Sequence, residues 1–260
     1  MTEVLTFSIL TGIVVGFSAG YLGSLMVLKK MALVGDALSH VALPGLALGI
    51  LFNFNPFFGA FAFLFGSAVI IWQLGRVTKL SFETLVGAMF TLALAVGILL
   101  IPEPELLEAL FGDITKVTLF DTVLAVIVSV IAIALTKIIY NEIILGMISE
   151  DLAISKGINV SRINLLYLLL VSLVVAIGIK IVGTLLVGFL VIVPAAAARN
   201  VSPNLSRYAL LSSIFGAISS SSGVLLSDYW NMTTGPLVVL AGITIFLTTV
   251  LATWVLKINV

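Results

Sequence analysis

Cysteine is absent from this 260-residue chain, and histidine occurs once, at position 40. The lack of cysteine excludes disulfides, cysteine-ligated zinc sites and thiol nucleophiles. Charged residues make up only 9% of the sequence, whereas a soluble domain carries about 25%. The formal net charge is zero, so nothing predicts a nucleic-acid partner. The Gly-x-x-x-x-Gly-Lys-[Ser/Thr] loop that cradles nucleotide phosphates is also missing, so we do not expect this chain to hydrolyse ATP itself.

What the chain has instead is a series of long apolar runs, which make it 61% hydrophobic. A helix needs roughly 20 apolar residues to cross a bilayer. The runs therefore predict an all-α fold, a polytopic transmembrane helical bundle of 8–9 helices, in a single domain over residues 1–260. The predicted spans cover about 4–28, 35–53, 57–74, 84–101, 119–140, 164–181, 208–226 and 236–256. The segment Val182–Ala198 is short and interrupted by glycine, so it is either a ninth span or a broken, re-entrant helix.

The distribution of lysine and arginine predicts the orientation, because basic residues collect on the cytoplasmic side. Nine spans with an outside N-terminus leave only Lys116 and Lys180 of the twelve basic residues outside. The acidic loop 102–113 then faces out, where it attracts cations, docks a partner or is simply solvated. Asp113 in this loop is a candidate for the outer mouth of a pathway, although it equally suits a helix cap or a turn.

Asp36 and His40 form the most informative pair in the sequence. They are four residues apart, about one helical turn, so their side chains project from one face. A carboxylate beside an imidazole is half of a transition-metal site. Ionisable groups inside a membrane are costly and are therefore functional candidates by default. The competing interpretation is that Asp36 caps a helix while His40 packs at the membrane interface.

A second polar segment, residues 149–158, interrupts the apolar pattern between the fifth and sixth spans. Ser149 suits a helix N-cap, Glu150 and Asp151 suit the first turn, and Gly157 ends the helix after about two turns. A two-turn surface helix has little stability of its own, so a partner that packs on it would explain its presence. An ordinary capped loop helix explains the pattern as well.

Small residues punctuate the later spans, including Gly178, Gly183 and Gly188. They allow helices to approach closely, and they also suit elements that slide or line a pore. Tight packing is the simpler of these interpretations.

The order of motifs resembles the permease subunit of ABC importers for zinc, manganese or iron, over nearly the whole length. The strongest stretch lies between Gly23 and Pro56 and contains Gly35-Asp36-Ala37-Leu38-Ser39-His40-Val41, with Val41 where the family more usually has a smaller residue. Further matches occur at 84–87, 110–114, 182–187 and 193–199, and Asp151-Leu152-Ala153 followed by Gly157 matches the family's coupling element. Each short motif is weak alone, but their order and spacing are specific.

The resemblance implies that Asp36 and His40 are transit ligands for the transported divalent ion, and that no cofactor is bound permanently. It implies a cytoplasmic coupling helix near 149–158, in which Glu150, Asp151, Ala153 and Gly157 contact the ATPase. The implied partners are a second permease copy, a dimer of cytoplasmic ATPase subunits, an extracellular or periplasmic metal-binding protein and the lipid bilayer of a prokaryotic plasma membrane.

Metal identity and two rival classes stay open at this point. One histidine and no cysteine lean toward oxygen ligands, and Phe90 lies in the stretch where some zinc-type relatives have a further histidine, yet zinc and manganese both remain possible. An ATPase-independent secondary metal carrier or channel would share the spans and the Asp36–His40 pair. An intramembrane protease would need a second membrane aspartate or a serine–histidine pair.

Overall fold

The computed structural model describes residues 2–78, 80–101, 109–112 and 117–256. Twelve helices are defined within these ranges, and no strand occurs in them. In chain order they are α1 (Thr2–Leu28), α2 (Ala32–Val41), α3 (Leu43–Leu51), α4 (Pro56–Val77), α5 (Phe82–Leu100), α6 (Leu119–Ile138), α7 (Tyr140–Ile148), α8 (Glu150–Ser155), α9 (Val160–Val182), α10 (Thr184–Val201), α11 (Leu205–Trp230) and α12 (Thr234–Leu256).

Eight helical segments in the described part of the chain are long and apolar enough to cross a membrane. They are α1, α2 together with α3, α4, α5, α6, α9, α11 and α12. This confirms the prediction of a polytopic helical bundle, and the chain is an integral membrane protein. The ninth candidate, the doubtful segment at 182–198, is the separate helix α10, which is 18 residues long and contains Pro194.

The second span is broken in the middle, directly after the Asp36–His40 pair. Helix α2 ends at Val41, Ala42 joins it to α3, and Pro44 lies in the first turn of α3. A proline lacks the amide hydrogen that would continue the α2 ladder, and the first turn of a helix is where proline is tolerated. The proline in the sequence therefore accounts for an interruption two residues before it.

Helix α1 lies inside the bundle and contacts α6, α9, α10 and α11. Its closest neighbour is α11, where Gly16 and Gly216 face each other so closely that a Cβ atom on either would collide with the backbone of the other. Ser212 Oγ donates a hydrogen bond of 2.5 Å to the carbonyl of Gly20 at the same crossing. Small residues at a helix crossing allow the close van der Waals contact that holds helices together in lipid. Burying apolar surface alone does not drive association there, because lipid is equally apolar.

The connection between α6 and α9 differs in part from the prediction. The two-turn helix is present as α8, with Ser149 as its N-cap, and Gly157 has a positive φ of 76° just after it. The additional helix α7 before it was not predicted, because the predicted fifth span ended at Tyr140 and residues 141–148 were assigned to the connection after it. Helix α7 is separated from α6 at Ile139 and contacts α8 and α9, with only Ile143 fully buried.

Candidate metal site

Asp36 and His40 lie one turn apart on α2, in a segment whose other residues are largely buried. His40 is 6% exposed, whereas Asp36 is half-buried. Helix α2 packs against α5 on one side and against α10 on another. The pair therefore lies between three helices of the bundle, which is where a membrane protein places polar groups that have a function.

The imidazole of His40 is enclosed by apolar groups. Its ring meets the ring of Phe90 on α5 edge to face, with the centroids 5.2 Å apart. Its Nδ1 is buried and has no hydrogen-bond partner among the described residues. A buried polar atom without a partner is uncommon and costs free energy, so it indicates a group that meets its partner only at some stage of function. A transported metal ion is such a partner for an imidazole nitrogen.

The carboxylate of Asp36 lies against α10 at Gly188. A Cβ atom on Gly188 would be 2.7 Å from Oδ1 of Asp36 and 2.9 Å from its Cβ. Only a residue without a side chain leaves room for Asp36 at this position. Helices α2 and α10 thus meet at Asp36 itself.

The donor set of one chain is small. No cluster of three or more histidine, aspartate or glutamate side chains suitable for a metal occurs within residues 2–78, 80–101, 109–112 and 117–256. Two ligands bind a divalent ion more weakly than the three or four of a permanent zinc site. Weak binding suits an ion in transit, since conduction requires that the ion also leaves.

The four candidate coupling residues lie together on and beside α8, apart from the metal pair. Glu150, Asp151 and Gly157 are exposed, whereas Ala153 is fully buried. Helix α8 rests on α7 and α9, with Ala153 on its inner side. Leu152 and Ile154 on the same helix are 45% and 58% exposed. Helix α8 therefore presents two aliphatic side chains outward, next to the two acidic residues of its first turn.

Beside α8, a cavity of about 390 Å³ opens between the end of α1 and helices α7 and α9. Lys29 lines it and donates a hydrogen bond to Oδ1 of Asn164, and its ammonium lies 5.5 Å from the centre of the Tyr167 ring. Burial lowers the pKa of Lys29 to about 8, because desolvation disfavours the ammonium form. The neighbouring Lys30 is exposed.

The lowered pKa of Lys29 predicts a pH-dependent stability. Between pH 8 and 10.5 the unfolded chain holds a proton on Lys29 that the folded chain has released, so the free energy of unfolding rises with pH, by at most about 1.4 kcal/mol per pH unit. Below pH 8 both states hold the proton and the dependence ends. We expect Lys29→Met to remove this rise and Lys30→Met to retain it, as measured by thermal unfolding in detergent from pH 7 to 10.5. Equal pH slopes for the intact chain and Lys29→Met would contradict the assignment.

Asp113, the candidate for the outer mouth, lies outside the described residues, as do Glu103, Glu105 and Glu108 of the same acidic loop. Residues 109–112 beside them are described: Thr184 donates a hydrogen bond to the carbonyl of Ala109. This contact joins the predicted outer loop to the first turn of α10.

Two residues of the site were not identified as its members from the sequence. Phe90 was noted only as the occupant of a stretch in the fourth span, and Gly188 only as one of several small residues. The structure places Phe90 against His40 and Gly188 against Asp36. The only sequence signal for Gly188 is a glycine within an apolar helix. Such a glycine occurs both with and without a packing role, so the pattern did not single it out.

Comparison with protein families and curated proteins gives a match over almost the whole chain. Residues 1–253 match the ABC 3 transport family. The chain is 32% identical over 243 residues to the manganese transport system membrane protein MntC of Listeria monocytogenes, covering 92% of this chain and 87% of that protein. It is 33% identical over 255 residues to the high-affinity zinc uptake system membrane protein ZnuB of Buchnera aphidicola, covering 95% of this chain and 97% of that protein.

Comparison with solved structures shows that the fold is also shared with a known protein. A chain of the PsaBC complex of Streptococcus pneumoniae, solved together with a Fab, superposes with a TM-score of 0.84 at 32% identity. The match covers 95% of this chain and 90% of that chain. The arrangement of the helices is therefore that of a chain of the PsaBC complex.

Proposed function

Because this chain belongs to the ABC 3 transport family, we propose that it is the membrane permease subunit of an ATP-driven importer of zinc or manganese. Similar proteins are named for both ions, one as a manganese transport protein and another as a zinc uptake protein. The observation that carries the proposal is the Asp36–His40 pair on one face of α2, enclosed by the helices of a membrane-spanning bundle.

Asp36 and His40 bind the ion during transit. Asp36 supplies a negatively charged oxygen, and His40 supplies a neutral nitrogen. This nitrogen is already buried in the folded protein, so metal binding does not have to remove it from water. The single nitrogen and the carboxylate suit zinc, and they also suit manganese if oxygen ligands complete the site. A second copy of the chain, facing the first across a central pathway, would bring a second pair to the same ion.

The energy for transport comes from a partner. The sequence has no phosphate-binding loop, so ATP is hydrolysed by two cytoplasmic ATPase subunits. These subunits bind α8 through Glu150, Asp151 and the exposed aliphatic side chains of Leu152 and Ile154. Ala153 anchors α8 to the bundle, and Gly157 ends it with a positive φ that other residues adopt only under strain. A metal-binding protein outside the prokaryotic plasma membrane delivers the ion. Residues 1–260 act as one permease domain.

Uptake of labelled zinc and of labelled manganese tests this proposal. Cells that express the chain with its ATPase partner should accumulate one ion, and the unlabelled form of that ion should compete best. The accumulation should stop when the ATPase subunit is present but unable to hydrolyse ATP. Accumulation that continues without ATP hydrolysis would replace the proposal with a secondary carrier or channel.

A further inference from the structure

Helix α10 meets a proposed metal ligand at the contact between Gly188 and Asp36. A Cβ atom at Gly188 would collide with Cα of Asp36, and it would lie 2.7 Å from Oδ1 and 2.9 Å from Cβ of the same residue. Ordinary van der Waals contact begins at 3.4 Å. The distance to Cα would be 2.4 Å, and it must rise to at least 3.0 Å, so α2 and α10 have to separate by about 0.6 Å or more. A functional site must be held within about 0.5 Å of its productive geometry, so this separation exceeds the tolerance.

Helix α10 has little freedom to give way, because neighbouring helices hold it close on its other sides. The carbonyl of Val191 abuts Gly23 on α1, and the side chain of Val187 abuts Gly178 on α9. Phe189 lies against Gly242 on α12, where a Cβ atom would be 2.7 Å from the ring. Since each of these neighbours is itself in close contact with α10, an added methyl group at position 188 displaces α2, not α10.

Helix α2 is the shorter of the two helices in this contact. It is ten residues long, whereas α10 has 18, and it ends at the break at Ala42. Asp36 is half-buried, so its carboxylate has space to move away from α10. The displacement thus falls on the metal ligand.

We propose that Gly188 is a positioning residue that sets the place of the Asp36 carboxylate, and with it the affinity of the transit site. This inference rests on the proposed function, because it takes Asp36 as a ligand of the transported ion. Metal ligands hold an ion at distances defined to about 0.2 Å, so a shift of about 0.5 Å separates Asp36 from an ion that His40 still binds. Because Gly188 and Asp36 are in contact, a movement of α10 also changes the position of the Asp36 carboxylate and the affinity of the site for the ion.

The test is the affinity of the purified permease for Mn²⁺, measured by electron paramagnetic resonance, in which the signal of free Mn²⁺ is lost on binding. We expect Gly188→Ala to weaken the affinity roughly 10- to 100-fold, the range found when groups that orient metal ligands are removed. In transport assays the half-saturating metal concentration should rise by a similar factor, while the maximal rate falls much less. A purely structural defect would instead lower the amount of active protein and leave the half-saturating concentration unchanged.

Gly223→Ala is the matched control. A Cβ atom at Gly223 would lie 2.5 Å from the backbone nitrogen and from Cα of Val238, so it forces α11 and α12 apart to a similar extent but touches no proposed ligand. We expect this variant to lose stability without a change in Mn²⁺ affinity. If Gly223→Ala weakened the affinity as much as Gly188→Ala, the effect would be general loosening of the bundle and the proposal would be overturned.

Gly35→Ala provides a milder variant in case Gly188→Ala does not fold. A Cβ atom at Gly35 meets the side chain of Val191 at 3.2 Å, so it opens the same pair of helices by only a few tenths of an ångström. We expect a several-fold loss of Mn²⁺ affinity in a folded protein. Unchanged affinity in Gly35→Ala, together with unchanged affinity or no folding in Gly188→Ala, would overturn the inference.

His40→Ala separates this inference from the proposed function. If His40→Ala abolishes Mn²⁺ binding while folded Gly188→Ala binds as the intact chain does, only the positioning role fails. If His40→Ala itself binds Mn²⁺ normally, the ion is held elsewhere and both proposals fail.

Discussion

Replacing either Asp36 or His40 by alanine is expected to reduce ATP-driven metal uptake by roughly 100-fold or more, to the background of vesicles without the protein. Each change removes one of the two proposed ligands on α2, and losing a direct ligand costs more than the 10- to 100-fold loss of affinity seen when a group that orients a ligand is removed. The measurement is the initial rate of uptake into proteoliposomes that contain the permease and its ATPase partner.

The same two variants should remain folded. Removing His40 eliminates a buried Nδ1 that lacks a hydrogen-bond partner among the described residues, which offsets part of the packing lost against Phe90. Asp36 is half-buried, and its alanine variant adds no volume. Thermal unfolding in detergent should therefore change little. Unfolding of both variants would favour a structural role for the pair.

Asp228→Ala is the control for the loss of a carboxylate. Asp228 is exposed in the last turn of α11, in another part of the fold from α2. We expect its alanine variant to transport at the rate of the intact chain. Uptake at that same rate by folded Asp36→Ala and His40→Ala would remove both residues from the pathway.

The second large effect is expected at the coupling helix. Changing Leu152 and Ile154 together to serine should abolish binding of the ATPase subunits and stop transport, although the permease itself stays intact. Both side chains are about half exposed, so about half of their apolar surface is free to contact a partner. A few residues at the centre of an interface contribute most of its affinity. The measurement is co-purification of the ATPase with the permease, followed by the ATPase rate of the assembled complex.

A matched control for this variant is Met232→Ser. Met232 is also an exposed apolar residue, at 60%, but it lies in the turn between α11 and α12, on the opposite side of the membrane in the predicted topology. We expect the Met232→Ser variant to bind the ATPase subunits as the intact chain does. Normal ATPase binding and normal transport by the Leu152 and Ile154 double variant would remove α8 from the coupling role.

The elements of this protein that could be predicted from sequence are those with a local signal. The spans follow from apolar runs near 20 residues, and α8 follows from Ser149 as a cap and Gly157 as a stop. Asp36 and His40 could be identified because the sequence itself shows both their four-residue spacing and the free-energy cost of placing ionisable side chains in a membrane. These predictions needed no knowledge of how the helices pack.

The remaining features depend on contacts between residues far apart in the chain. Gly188 is 152 positions from Asp36 in sequence and nothing in either segment indicates that they meet. The contact of Lys29 with Asn164 and Tyr167 is likewise a result of packing α1 against α9. Helix α7 was missed because residues 141–148 carry no cap or stop signal that marks a separate helix, and only the packed bundle shows that a second helix begins after Ile139.

The most direct test of the central claim is X-ray absorption at the zinc edge of the purified permease loaded with zinc, prepared without a histidine tag. His40 is the only histidine in the chain, so the outer-shell scattering typical of an imidazole ring can come from no other residue of the permease. Binding at the pair predicts this scattering in the intact chain and its loss in His40→Ala. Zinc bound by the intact chain without imidazole scattering, or with scattering that persists in His40→Ala, would contradict the assignment of Asp36 and His40 as the transit site.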